Sequence, residues 1–280
     1  MSEIAPGVYF YEGAQEDMSA ENLGAIANIG FIVGEDSIAV IDSGGSARQG
    51  EKLLAAIRAV SDLPIRYVIN SHMHPDHVFG NHAFLGEAPQ IVGHAKLPRA
   101  LTARGEFYLQ RLEETLGEVA ADTQVVPPNV IVEGTLEIDL GSRPLVITAY
   151  TVAHTDNDLT VLDVTSGTLW LGDLLFVERT PVIDGSLNGW LAVMDQLAAV
   201  EASQVVPGHG PLQSDWPGAL TPQRVYLEAL RDQVRRIIAE GGTMAQALEE
   251  VDGGESGPWL LFEDNHLRNV TAAFKELEWE

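Results

Sequence analysis

The segment Ser71-His72-Met73-His74-Pro75-Asp76-His77 gathers three imidazoles and one carboxylate within six residues, in a chain holding eight histidines in all. These side chains offer nitrogen and oxygen lone pairs to a cation, and desolvating several imidazoles together without one would be costly. The apolar run Tyr67-Val68-Ile69 just before them reads as a short buried strand, and Pro75-Asp76 marks the start of a helix. On an extended segment His72 and His74, two apart, point to one side. Asp76 and His77, on the first helical turn, face back toward a second point close by. One segment thus offers ligands to two adjacent ions, more than a single closed tetrahedral site would use.

Three further groups stand where a strand gives way to a loop, the place where chemistry tends to be mounted. They are His154 in Val152-Ala153-His154-Thr155-Asp156-Asn157-Asp158, Asp173 in Trp170-Leu171-Gly172-Asp173, and His209 in Val205-Val206-Pro207-Gly208-His209-Gly210. Taken singly, each is more often an ordinary turn residue. Their weight comes from their order along the chain.

The elements that must position them alternate between short strands and helices. Strands are expected at residues 7–11, 27–33 and 37–42, the last two joined by the turn Gly34-Glu35-Asp36. Apolar residues at Leu53, Leu54, Ile57 and Val60 give residues 47–60 a helical spacing. A strand at 90–94 precedes a helix over 95–117. Strands follow at 130–132, 136–138, 145–150, 159–164 and 168–171, then helices over 187–202 and 221–240. The apolar residues of 258–280 predict a packed terminal helix. No repeat or low-complexity linker divides the chain. The expected fold class is α/β (α+β): two mostly antiparallel sheets with helices outside. We expect one domain over 1–280, with a core of about 7–212 and a helical extension over 213–280.

Composition narrows the function. The 280 residues are 45% hydrophobic, enough for a sizeable core. No apolar run approaches the roughly 18 residues of a membrane span. With 41 acidic against 16 basic residues the formal charge is −25, which disfavours nucleic acid and anionic lipid as partners and leaves a small molecule as the expected one. The absence of cysteine excludes a thiol nucleophile and thiolate metal ligands. The N-terminus has neither the basic nor the apolar region of a signal peptide, although an exported protein whose leader has been removed would look the same.

In this order, His-x-His-x-Asp-His followed by His154, Asp173 and His209 resembles the metallo-β-lactamase fold superfamily over roughly residues 7–212. The resemblance implies an αββα sandwich with metals at one edge of the sheets. It implies His72, His74 and His154 on one metal and Asp76, His77 and His209 on a second, with Asp173 and a water or hydroxide bridging them. Two Zn²⁺ per chain are the default for such donors, with iron or manganese permitted. The pair would lower the pKa of the bridging water to make a hydrolytic nucleophile, with Asp76 as proton shuttle. Asp42 resembles the aspartate that orients a ligand imidazole in this superfamily. His82, His94 and His266 have no place in the pattern. Glu178 and Arg179 are candidates for lining the substrate cleft.

Asp173 stands where drug-resistance β-lactamases put Cys or Ser, so the chain looks more like the glyoxalase II, lactonase, phosphodiesterase and sulfatase branches. No basic cluster suits glutathione, which ranks glyoxalase II low. Residues Phe176 to Leu191 and the tail from Asn269 to Glu280 are similar to the quinoprotein relay system zinc metallohydrolases, relatives of which are encoded beside thiosulfate-oxidation genes. That resemblance implies a periplasmic location, with a cytoplasmic one open. The alternatives are a β-lactam or lactone hydrolase and, from another class, a metal-binding accessory protein of a periplasmic redox system that hydrolyses nothing. A redox di-iron centre is a further possibility, against which His74, in place of a Glu, argues. Oligomeric state has no signature in the sequence.

Overall fold

Strand β3 (Ile29–Val33) and strand β4 (Ile38–Ile41) are apolar runs either side of a tight turn, and they pair antiparallel with Val33 opposite Ile38. They belong to a computed structural model of the chain that describes residues 1–254 and 257–280. The first half continues around them with β1 (Ser2–Ala5), β2 (Val8–Tyr11), α1 (Ala47–Val60), β5 (Ile65–Ile69), α2 (Pro75–Val78), β6 (Gln90–His94), α3 (Leu97–Leu116) and β7 (Val130–Val132). Strands β1 to β7 form one sheet in sequence order. It is antiparallel from β1 to β4 and parallel from β4 to β7. The parallel part follows from connectivity, because helical segments cross over between those strands and return the chain in the same direction.

The second half supplies β8 (Thr135–Asp139), β9 (Pro144–Ala149), β10 (Leu159–Asp163), β11 (Thr168–Phe176), α4 (Leu187–Leu197), β12 (Gln204–His209), α5 (Thr221–Ala239), α6 (Met244–Glu250) and α7 (Phe262–Leu277). Strands β8 to β11 are antiparallel, and β12 joins β11 in parallel after the α4 crossover.

Burial explains the layering. The inner faces meet through Val8, Ile32, Ile41 and Val92 on one side and Ile147, Val161, Trp170 and Val206 on the other. The outer face of the first sheet, with Phe31, Val40 and Val68, receives Leu53 and Ile57 of α1. These two residues lie one turn apart on a single helix face. The N-terminus of α1 is closed by Ser46, whose hydroxyl oxygen accepts from the Gln49 N–H at 3.2 Å. The outer face of the second sheet, with Leu171, Leu175 and Val205, packs against Trp190 of α4, Leu230 of α5 and Phe274 of α7. Helix, sheet, sheet and helix are therefore stacked as expected. Sheets with both faces covered carry near-continuous apolar strands, and β11 is buried at each of its nine positions.

Strand β1 and helix α6 were not expected. The former is a short edge strand with two exposed polar residues, Ser2 and Glu3, and the latter a seven-residue helix fixed by a Thr243–Gln246 capping box. Among the described residues no helix is long and apolar enough to cross a membrane.

Candidate metal centre

Strand β5 delivers the histidine segment to the end of the first sheet. His74 closes it in extended conformation (φ −68°, ψ 146°) as the residue before α2, and Pro75 occupies the first helical position. The extended stretch brings His72 Nε2 to 3.0 Å from His74 Nδ1. His154, on the loop after β9, places its Nε2 at the same 3.0 Å from His74 Nδ1. On the other side of Asp173, Asp76 Oδ2 lies 3.3 Å from His209 Nε2 and 3.8 Å from His77 Nε2.

Asp173 lies between the two sets. Its Oδ2 is 3.4 Å from His154 Nε2 and 3.7 Å from His72 Nε2, while its Oδ1 is 3.1 Å from His77 Nε2 and 3.4 Å from His209 Nε2. Each oxygen faces one set. Two groups result, His72, His74, His154 and Asp173 beside Asp76, His77 and His209, each with its donor atoms within 4.8 Å of one another.

The outer nitrogen of every imidazole is already held. His77 Nδ1–H donates to Asp42 Oδ2 at 2.7 Å, His154 Nδ1–H to the Val182 carbonyl at 2.7 Å and His209 Nδ1–H to the Ile26 carbonyl at 2.9 Å. His74 Nε2–H donates to Asp184 Oδ2 at 2.9 Å, and His72 Nδ1–H to Ser71 Oγ at 3.0 Å. Ser71 Oγ can accept because its own hydrogen goes to Asp42 Oδ2 at 2.7 Å. A neutral imidazole with one nitrogen donating has a lone pair on the other. The inner nitrogens of all five rings are therefore turned inward, and in a neutral ring that nitrogen carries a lone pair. Those of His72 and His154 each lie 3.0 Å from that of His74 with no proton available between them.

That arrangement is unfavourable unless a cation fills it. His77 Nε2 and Asp173 Oδ1 are moreover buried without a hydrogen-bond partner, their 3.1 Å approach lacking hydrogen-bond geometry. The donor set, all nitrogen and carboxylate oxygen, fits a pair of divalent cations.

Burial and charge divide the site electrostatically. Burial pushes His72 well below its usual range and His154 down to about 4, so both stay neutral. Burial also acts against charge at His77 and at Asp173. At His77 the carboxylates of Asp173, Asp42 and Asp76 outweigh it and raise the pKa, and at Asp173 the His209, His77 and His72 rings outweigh it and hold the carboxyl well down. Asp76 is held low in the same way by His77 and His209, against its burial. An apolar shell completes the site: Phe176 stacks on His209 with centroids 5.1 Å apart, and Trp190 meets His154 edge-on at 5.3 Å.

Asp42 sits where the sequence places it, orienting His77, in the left-handed region at φ 52°. His94 is bound to the Tyr150 carbonyl and the Lys96 N–H, and His266 to Tyr226 and the Val251 carbonyl. These two, and the half-buried His82, lie outside both groups. Glu178 is exposed, whereas Arg179 is buried with Nη1 3.5 Å from His209 Nδ1. Sequence reasoning did not single out Ser71, Asp184 or the Ile26 and Val182 carbonyls. Two of these are backbone groups, which any residue type supplies.

The loop carrying His154 is closed by Asp158, whose carboxylate accepts from Thr155 N at 2.9 Å and Thr155 Oγ1 at 2.6 Å. Burial pushes Asp158 up to about 7 from a usual 3.8. For a carboxyl raised on folding, the stabilising contribution is complete below the unfolded pKa and is lost as pH rises through the folded one. In chelator-treated protein, the melting temperature of wild type relative to Asp158→Asn is therefore expected to fall between about pH 4 and pH 7. A difference that stays flat across that window would count against it.

Residues 24–209 match the model of the metallo-beta-lactamase superfamily. The chain is 24% identical over 270 residues to the linear primary-alkylsulfatase of Pseudomonas sp. (strain ATCC 19151), covering 79% of this chain and 49% of that protein. In structure it is similar to a stereoselective inverting sec-alkylsulfatase from Pseudomonas sp., with a TM-score of 0.75 and 16% identity over 98% of this chain and 49% of the other. It is also similar to a metallo-beta-lactamase from Pontibacter korlensis, with a TM-score of 0.61 and 18% identity over 72% of this chain and 87% of that one. The chain thus spans about half the length of the alkylsulfatases it matches. The matched model covers most of both sheets and every residue of the two donor groups, and the chain belongs to the metallo-β-lactamase superfamily.

Proposed function

We propose that the protein is a dinuclear zinc hydrolase of a small ester-like substrate. The observation that carries this reading is Asp173, with one carboxylate oxygen facing each group of inward-turned imidazoles. His72, His74 and His154 would hold one ion and Asp76, His77 and His209 the other, with Asp173 shared. Two such cations supply Lewis-acid charge that generates a nucleophile from water near neutral pH and offsets the charge developing on the attacked oxygen.

The chain's own residues do the rest. Asp42, Ser71, Asp184 and the Val182 and Ile26 carbonyls fix the imidazole tautomers, so no ring has to reorient during turnover. Asp76, kept a carboxylate by its histidine neighbours, accepts the proton of the attacking water and passes it to the leaving group. Phe176 and Trp190 exclude solvent behind His209 and His154, which strengthens electrostatic interactions inside the site.

Sulfate esters are the substrates to test first, because similarity to alkylsulfatases extends over 79% of this chain in sequence and 98% in structure. β-Lactams and lactones form the second set. Within the superfamily we place the chain with the quinoprotein relay system zinc metallohydrolases, on residues 176–191 and the terminal helix, and with them in the periplasm. We read residues 1–280 as one unit, since the helices after residue 212 share an apolar cluster with β11 and α4.

The test is elemental analysis of protein purified without added metal, followed by turnover of a long-chain alkyl sulfate, nitrocefin, an acyl-homoserine lactone and simple aryl esters. About two zinc ions per chain are expected, with saturable turnover of at least one ester that disappears on chelation and in His74→Ala. Metal-replete protein silent across the panel, or turnover indifferent to His74→Ala, would favour the accessory reading.

A further inference from the structure

The terminal helix α7 lies behind the second sheet, yet two of its residues reach the loop between β11 and α4. Asn269 is fully buried. Its Oδ1 accepts from the Ile183 N–H at 2.9 Å, and its Nδ2 donates to the Pro181 carbonyl at 2.6 Å and to Tyr226 Oη at 2.9 Å. Two turns further on, Glu276 receives Ser186 Oγ at 2.8 Å and the N–H groups of Leu187 and Asn188 at 2.7 and 3.1 Å, where its negative charge suits the start of α4. One helix face thus holds the loop in its middle, at 181–183, and again where it enters α4.

Between the two backbone groups held by Asn269 is Val182, whose carbonyl accepts from His154 Nδ1. The next residue after Ile183 is Asp184, which accepts from His74 Nε2. An N–H can only donate and a carbonyl can only accept, so one side chain serving both needs a donor and an acceptor in one planar group. An asparagine amide meets that need, and Asp or Leu does not.

We propose that Asn269 is a positioning residue for the metal centre, fixing the loop that sets the tautomer and orientation of His154 and His74. Asn269 touches neither ring. It acts through the peptides on either side of Val182 and through the path of the loop to Asp184. The inference rests on the reading that these histidines bind metal. His72 takes its outer partner from Ser71, and His77 and His209 take theirs from Asp42 and the Ile26 carbonyl. Loss of the Asn269 amide therefore reaches one donor group and spares the other.

The test is a competition titration of zinc against a chromophoric chelator for wild type, Asn269→Leu and Tyr226→Phe, which yields the stepwise affinities. Tyr226→Phe removes a hydroxyl bonded to the same amide and to His266 but leaves both loop contacts in place, so it reports general loosening of α7. In Asn269→Leu one binding step is expected to weaken by about 10–100-fold, the range for losing an outer partner of a metal ligand, while the other stays within about twofold and Tyr226→Phe resembles wild type. A ¹⁵N spectrum of the zinc-loaded variant should also show the His154 Nδ1–H signal shifted and exchanging faster with solvent than in wild type, because the Val182 carbonyl that accepts it is no longer fixed. Asn269→Leu with both steps at wild-type strength overturns the proposal, and so does an equal loss at both steps shared by Tyr226→Phe. If Asn269→Leu does not fold, Asn269→Asp carries the same expectation, because it keeps the size and the Ile183 acceptor but sets an oxygen against the Pro181 carbonyl. A wild type that binds no zinc defeats the metal reading itself, and this inference with it, whereas failure of the inference alone leaves wild type with two sites.

Discussion

Asp173→Ala is expected to lower bound metal from about two ions per chain toward one and to cut ester turnover by roughly a thousandfold or more, since metal charge stabilisation is worth several kcal/mol and each 1.4 kcal/mol is tenfold. The reason is geometric. Oδ1 and Oδ2 face different histidine pairs, so one truncation takes a carboxylate oxygen away from each pair. It also removes the charge that, against burial, raises His77 and His209. Both rings then bind protons less well in the empty site, so loss of metal cannot be assigned to easier protonation of these ligands. Elemental analysis and initial rates on one preparation check the prediction together. Retention of two ions at wild-type affinity would show that Asp173 is not shared.

Gly208→Ala should disturb the same carboxylate without changing any donor. A methyl carbon at position 208 would stand 1.9 Å from Asp173 Oδ1, 2.7 Å from Gly172 C and 2.8 Å from Asp173 N. The carboxylate could swing aside only by leaving its place between the groups. The β11 backbone could yield only by parting from β12, to which it is paired in parallel. Forcing atoms into packed space typically costs about 1–3 kcal/mol, and a clash with backbone falls at the upper end or beyond. A drop of several degrees or more in melting temperature is expected together with reduced metal content. Gly86→Ala is the control, since nothing lies within 4 Å of its added carbon. Equal melting temperatures and metal contents in the two variants would refute the argument.

The first donor cluster was legible in the sequence because its information is local. Alternation on an extended segment and a proline-initiated turn are enough to aim His72 and His74 one way and Asp76 and His77 another, and the structure has them so. His154, Asp173 and His209 were legible through their order along the chain. His154 lies on a loop and His209 ends β12 as expected, but β11 runs on to Phe176, so Asp173 sits inside a strand rather than where one stops. Nothing local distinguishes Gly208-His209-Gly210 from an ordinary loop. The partners behind the rings were mostly hidden. Asp184 meets His74 across 110 residues, along a loop path that no periodicity encodes, and the Ile26 and Val182 carbonyls carry no side-chain signal. Asn269 came into view as part of a resemblance in the tail, while its two contacts on the 181–183 backbone emerge only from packing. The fold was read well where apolar runs are long. Ser2–Ala5 escaped because exposed polar residues fill half of it, and the parallel run from β4 to β7 depends on crossovers rather than on any strand's own pattern.

The two donor groups draw His72, His74, Asp76 and His77 from the first half of the chain and His154, Asp173 and His209 from the second. An ion coordinated from both halves is a cross-link that closes a long loop of backbone. Its binding free energy adds to that of folding, because the unfolded chain holds no such site, and it ties distant segments as a disulfide does by another route in an extracellular protein. This sequence has no cysteine with which to form one. With metal bound at these groups, its long-range tie would be made of imidazole and carboxylate, indifferent to reductants and opened by acid or chelators, because ligand protonation competes directly with the metal. Durability in such a molecule follows the supply of metal and protons in its surroundings rather than their redox state.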